Sequence, residues 1–265
     1  MSRLDIHQIP VLSDNYVYLA HCPETGDTAV VDPAVTGPVM DAAKAKGWTI
    51  THILNTHHHN DHVGGNLALK EATGCTIVGA RIDKHRIPGI DIEVDDGEHY
   101  ALGNAVANVM AVPGHTDGHI VYWFEESDAL FCGDTMFAMG CGKLSEGTAD
   151  QLWGSLTKLM ALPDETRIYC AHEYTQANGT FALSVEPGNQ ALVDRMKEVD
   201  AKRAQGISRV PSLLGEERKT NPFLRPDSGE IQQTIGLKTD DTLSVFAEIR
   251  NRKDNFNATN RQYFD

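Results

Sequence analysis

The sequence predicts an α/β or α+β body followed by a helical appendage, and three observations carry that prediction. Strand-like and helix-like patterns alternate through residue 173, after which only helical patterns continue. All 12 histidines lie at or before His172. The net charge of −14 is also divided: from Arg195 onward 13 basic residues meet 11 acidic ones, a balance of +2, which leaves −16 on residues 1–194.

Apolar, β-branched runs at 4–11, 16–22 and 28–32 read as strands, parted by the turn formers Ser13-Asp14-Asn15 and Glu24-Thr25-Gly26-Asp27. Residues 38–46 read as a helix stopped by Gly47. A strand at 51–55, a helix at 66–73 closed by Gly74 and a strand at 76–80 follow. Further strands are expected at 106–112, 120–124 and 129–132. Residues 148–162 form a helix with Thr148 as N-cap and Pro163 beyond its end, and 167–171 form a closing strand. The remaining helices are expected at 175–185, 190–205, 229–235 and 242–253. The expected domains are therefore 1–173 and 174–265.

A hydrophobic fraction of 41% suffices for a substantial core, but no run approaches the roughly 18 apolar residues of a membrane span. The chain opens without an apolar secretory segment, so a cytoplasmic protein is expected. Five cysteines, an odd number with no CxxC pair, argue against a disulfide framework and for small buried thiols, Cys141 between glycines being the least clear. An acidic body repels phosphates, so neither nucleic acid nor membrane is expected as a partner. Nothing in the sequence demands more than a monomer.

The chemistry concentrates in Thr56-His57-His58-His59-Asn60-Asp61-His62, between a strand and the pair Gly64-Gly65. His57 and His59, two apart on an extended segment, project their rings the same way, while Asp61 and His62 fall where the chain turns towards a helix. Imidazole and carboxylate donors suit zinc, and also iron or manganese. Such a run can also be an imidazole-rich surface loop, but its context favours a metal site. Three later segments each end a strand with a ligand-type residue beside glycine or alanine: Gly114-His115, Gly133-Asp134 and Ala171-His172. Asp32, ending an earlier strand before Pro33, reads equally as a carboxylate supporting a ligand imidazole or as a turn former.

The set HxHxDH, GH, GD and AH resembles the metallo-β-lactamase superfamily. That resemblance implies an α+β fold, a four-layered αββα sandwich followed here by a smaller helical domain, with two divalent metal ions at one edge of the sheets. By motif, His57, His59 and His115 would hold the first ion, and Asp61, His62 and His172 the second, with Asp134 bridging them. Two dications acidify the water between them and polarise a carbonyl, so Asp61 and Asp134 would serve the catalytic centre and no Ser, Cys or Lys nucleophile is needed.

Gly140-Cys141-Gly142-Lys143, Glu146-Gly147-Thr148-Ala149-Asp150, Ala171-His172-Glu173-Tyr174-Thr175, Asn221-Pro222-Phe223-Leu224-Arg225 and the segment 250–256 resemble the hydroxyacylglutathione hydrolase (glyoxalase II) family. This implies hydrolysis of S-D-lactoylglutathione to D-lactate and glutathione, the second step of methylglyoxal detoxification, with zinc as the leading metal. It also implies that Lys143, Tyr174, Arg250 and Lys253 bind glutathione. Arg250 and Lys253 share a helix face, although without the resemblance they read as the basic end of a helix complementing its dipole. One departure is Leu144-Ser145, where many relatives carry an aromatic pair ending in a tyrosine. Contact with glutathione there is expected to be weaker or bridged by water. Other thioesters and lactones, and a mononuclear iron persulfide dioxygenase that would leave Asp61, His62 and His172 without a metal, are the rival readings.

Overall fold

In the computed structural model, residues 2–256 are described, and the expected second domain's last residues, 257–265, lie outside them. The strands β1 (Asp5–Val11), β2 (Asn15–His21), β3 (Asp27–Val31), β4 (Thr49–Leu54), β5 (Thr76–Ala80) and β6 (Ile92–Val94) form one sheet in sequential order. Their side chains explain why that sheet is covered on both faces. Tyr18, Ala20, Ala29, Val31, Leu54 and Val78 enter one core cluster, whereas Val17, Leu19, Val30, Ile53 and Ile77 enter another. Alternate residues point to opposite faces, so both faces must be covered.

Helices α1 (Gly37–Lys46), with Val39 and Ala43, and α3 (Asn66–Thr73), with Leu69, cover the outer face; the four-residue α2 (Asn60–Val63) lies between them in sequence. The inner face packs on a second sheet built from β7 (His99–Leu102), β8 (Ala105–Ala111), β9 (Ile120–Phe124) and β10 (Ala129–Gly133). A small hairpin of β11 (Met136–Phe137) and β12 (Gly140–Cys141) follows. Then come α4 (Ala149–Met160) and β13 (Arg167–Cys170), which pairs parallel with β10. Leu152, Leu156 and Leu159 of α4 form the fourth layer's buried stripe. Thr148 caps this helix as expected, in a capping box with Gln151. The four-layered αββα sandwich is therefore present.

The helical part comprises α5 (Thr175–Val185), α6 (Gln190–Arg203), α7 (Leu214–Thr220), α8 (Gly229–Ile235) and α9 (Thr242–Asp254). Two details differ from expectation. A strand, β14 (Ser212–Leu213), pairs antiparallel with β13 and extends the second sheet, though only helices were expected after His172. Two residues are too few to show a period, and their pairing partner alone makes them a strand. Helix α7, which follows directly, is likewise unanticipated. One core cluster runs from Tyr18 in β2 to Phe246 and Ile249 in α9, so the helices are packed onto the sandwich. No helix among the described residues is long and apolar enough to cross a membrane. All five cysteines are buried and free.

Candidate metal centre

Where β4 ends, the chain is gripped by a carboxylate. Asp32, with φ of +50°, accepts the Thr56 N–H (2.8 Å) and the Thr56 hydroxyl (2.7 Å). Its Oδ2 also faces His62 Nδ1 at 3.1 Å, so it serves both as a turn residue and as support for an imidazole. His59 stands at the N-cap of α2 with extended backbone, which directs residues 57 and 59 into the site before the helix brings in Asp61 and His62.

The ring nitrogens fall into two groups. His57 Nε2 and His115 Nε2 each lie 3.1 Å from His59 Nδ1. Asp61 Oδ2 lies 3.5 Å from both His62 Nε2 and His172 Nε2. Asp134 stands between the groups: Oδ2 is 3.5 Å from His115 Nε2, and Oδ1 is 3.5 Å from His62 Nε2 and 3.4 Å from His172 Nε2. All seven residues expected to face metal therefore converge. Asp32, His57 and His62 form a further close set, but the Asp32 oxygens are already engaged by Thr56 and His62.

The outer nitrogens decide what the inner ones can be. His115 Nδ1 faces Lys143 O at 2.8 Å, and His172 Nδ1 faces Asp14 Oδ1 at 2.8 Å. His62 Nδ1 faces Asp32, and His57 Nδ1 faces Thr56 Oγ1, whose own proton goes to Asp32. Each Nδ1 meets an acceptor and carries the proton of a neutral ring, which leaves that ring's Nε2 as an inward lone pair, although the facing carboxylates, Asp134 first, raise His62 and His172 against the effect of burial. His59 Nδ1 can donate well to only one of His57 Nε2 and His115 Nε2, so at least one pair of lone pairs meets at 3.1 Å unless something positive lies between them. His62 Nε2 and Asp134 Oδ1 are moreover buried without a hydrogen-bond partner. Such atoms are costly to leave orphaned, and divalent cations are what this donor set fits.

Burial first, and then the surrounding imidazoles, lowers the basicity of His57 and His59, as neutral ligands require. Burial would raise the Asp134 carboxyl, but His62, then His172 and His115, hold it far below its usual range. His62, 3.5 Å away, and then a hydrogen bond from Asn15 do the same for Asp61. Glycine makes room for the ligand segments at two points. A Cβ on Gly133 (φ +49°) would lie 2.3 Å from Thr56 Oγ1, and one on Gly114 (φ +144°) 2.6 Å from Leu152 Cβ.

Beside the ion-facing groups lies a cavity of about 300 Å³ lined by Lys143, Tyr174, Arg250 and Lys253. The exposed Tyr174 ring stacks on His172 at 4.8 Å. Arg250 is buried, with Nη1 donating to Cys141 O (3.0 Å) and Nη2 to Asp254 Oδ1 (2.8 Å). Burial, then Arg250, pushes the Lys253 amine down to about 8. Leu144 packs against the core and Ser145 N–H donates to His115 O (3.2 Å), so neither occupies the position of a reaching tyrosine.

Sequence reasoning missed Asp14 and Asn15, whose Nδ2 donates to Asp61 Oδ2 (3.0 Å). It also missed His119, whose ring stacks on His57 at 4.6 Å and whose Nε2 accepts the Asp134 N–H (3.1 Å). His119 carried a usable signal, since it follows another glycine only four residues after His115. Asp14 and Asn15 carried none, because they look like any turn.

Fold and site together define a metallo-β-lactamase-type protein, and residues 10–172 match the family model described as the metallo-beta-lactamase superfamily. Residues 173–256 match the one described as hydroxyacylglutathione hydrolase C-terminus. A hydroxyacylglutathione hydrolase of Methylococcus capsulatus is 61% identical over 96% of this chain and 99% of its own length. One of Rhodospirillum rubrum is 58% identical over 97% and 100%. The chain belongs to the hydroxyacylglutathione hydrolase family. Among solved structures, ETHE1 from Myxococcus xanthus has a TM-score of 0.66 at 27% identity, covering 95% of this chain and all of its own. The B3 metallo-beta-lactamase BLEG-1 (0.64, 20%, covering 83% and all of its own) shares the fold.

Proposed function

We infer that this chain hydrolyses S-D-lactoylglutathione to D-lactate and glutathione, the second step of methylglyoxal detoxification. The observation that carries the reading is the convergence of seven inward-facing donors, four of them imidazoles fixed as lone-pair donors by acceptors behind them. In this reading His57, His59 and His115 would hold one zinc ion, Asp61, His62 and His172 would hold another, and Asp134 would serve both. When bound, such ions supply an acidified water and a Lewis acid for the thioester carbonyl.

The chain's own residues do the rest. Asp61 and Asp134 stay ionised and neutralise the charge brought in by the metal. Asp14, Asp32 and Lys143 O fix the rings that face it. Lys253 offers the cation of the adjoining cavity, Tyr174 its hydroxyl, and Arg250 and Lys143 its walls. Water adds to the acyl carbon, the C–S bond breaks, and the sulfur leaves with a proton as the glutathione thiol.

The catalytic domain is assigned to 1–173 and the substrate-binding domain to 174–265. A monomer is proposed, and five free thiols support a reducing, cytoplasmic setting. The test is steady-state hydrolysis by the zinc-loaded chain of S-D-lactoylglutathione, a simple lactone and a β-lactam. The glutathione thioester is expected to have the highest kcat/KM by at least about a hundredfold. Preference for either other substrate would discard the assignment.

A further inference from the structure

The β11–β12 hairpin, between Asp134 and Lys143, is held by side chains of the helical part at five of its backbone groups and at Gly142 O just beyond it. Asn221 Nδ2 donates to Phe137 O (3.3 Å) and Gly140 O (3.0 Å), and Asn178 Nδ2 donates to Ala138 O (3.2 Å). Arg250 Nη1 donates to Cys141 O (3.0 Å) and Gly142 O (3.5 Å). The Met139 N–H donates to Glu217 Oε2 at 2.8 Å.

Glu217 is fully buried, also accepts from Asn221 Nδ2 (3.1 Å), and pairs with the buried Arg195. A buried ion pair gives little net stability over apolar packing, so its presence calls for a task that apolar side chains cannot perform. Here the task is to bind main chain. Met139 sits in the left-handed region (φ +54°), a conformation that persists only when its surroundings over-determine it.

The hairpin's other side touches the ion-facing residues. Gly142 N–H donates to Thr135 O (3.1 Å), and Lys143 O accepts the His115 Nδ1 proton. Gly142, directly after β12, packs so closely on the ion-facing residues that an added Cβ would lie 2.1 Å from Asp134 O and 3.1 Å from His115 Cβ. We propose that Glu217 and Asn221 are positioning residues of the metal centre, setting Asp134 and His115 through the backbone of the hairpin. The Asn-Pro-Phe-Leu-Arg motif at 221–225 thereby acquires a role that substrate binding does not give it.

The proposal rests on the metal reading above, and coupling of this kind is reciprocal: if the held hairpin favours metal, metal must favour the held hairpin. Hydrogen exchange of the unaltered chain, metal-free and with zinc, tests this. Amides in 57–62 and in 136–142 are both expected to slow, the hairpin by on the order of tenfold. Slowing at 57–62 with an unchanged hairpin overturns the proposal; no slowing at either overturns the metal reading itself. A second arm compares Asn221→Asp, which keeps the acceptor for Phe223 N–H but loses the donation, with Ser228→Ala, which uncaps α8 and removes a donor to Glu186 but no hydrogen bond to the hairpin. Zinc release to a chelator should quicken about tenfold in the first and not in the second. A merely structural role lowers melting temperature in both and changes release in neither, which would overturn the proposal.

Discussion

Replacing Asp134 by alanine is expected to empty both metal positions at once. One carboxylate oxygen faces His62 and His172 and the other faces His115, so the substitution removes a donor from each group. Positions that keep three donors each would still bind an ion weakly, but the spacing between the two would no longer be fixed. Loss of a supporting contact alone costs about ten- to a hundredfold in affinity or activity, and loss of a shared ligand should exceed that range. We expect fewer than one ion per chain after dialysis and a kcat/KM reduced more than about a hundredfold. Melting curves of the metal-free proteins control for folding. An Asp134→Ala protein with full metal content and full activity would remove the bridge from this account.

The second large effect is expected at Lys253. Its amine lies on the cavity beside, and not among, the ion-facing groups, so in the proposed function it should hold substrate and transition state about equally. Removing such uniform binding raises KM and leaves kcat nearly unchanged. A charge-assisted contact contributes about 1.5–3 kcal/mol, which corresponds to roughly ten- to a hundredfold in KM. The effect should vanish for a thioester whose thiol lacks the glycine carboxylate. The pH dependence has a definite sign. Burial depresses the amine to about 8, so the cation is present below that pH and lost above it, and KM should rise as pH passes through about 8. Arg250→Ala should behave differently. Its guanidinium donates to Cys141 O and Asp254, so kcat should fall along with affinity. A Lys253→Ala enzyme with unchanged KM for the glutathione ester would leave the residue as a mere helix end.

Much of the site was legible because its signals are local. His57, His59, Asp61 and His62 lie within six residues, and His115, Asp134 and His172 each follow glycine or alanine at the end of a β segment. That pattern states chemistry and geometry together: a ligand atom, a strand that aims it, and a small neighbour that lets others approach. The N-cap at Thr148 was legible for the same reason. What supports these residues was not. Asp14 reaches His172 across 158 positions, and Glu217 reaches Met139 across 78. A charged residue in a helix reads as a solvated face until its partner is known, and nothing near Glu217 announces that it is buried. The short β14 and the β11–β12 hairpin failed for a related reason, since two residues carry no period and exist as strands only by pairing.

Two ions are proposed to share Asp134, and titrating zinc into the metal-free chain tests that most directly. Hydrolysis of S-D-lactoylglutathione and bound zinc are followed together as zinc is added. The account predicts that binding saturates at two ions per chain and that Asp134→Ala destroys this stoichiometry. Saturation at one ion, with activity complete at that point and His62→Ala or His172→Ala without effect on either, would contradict it.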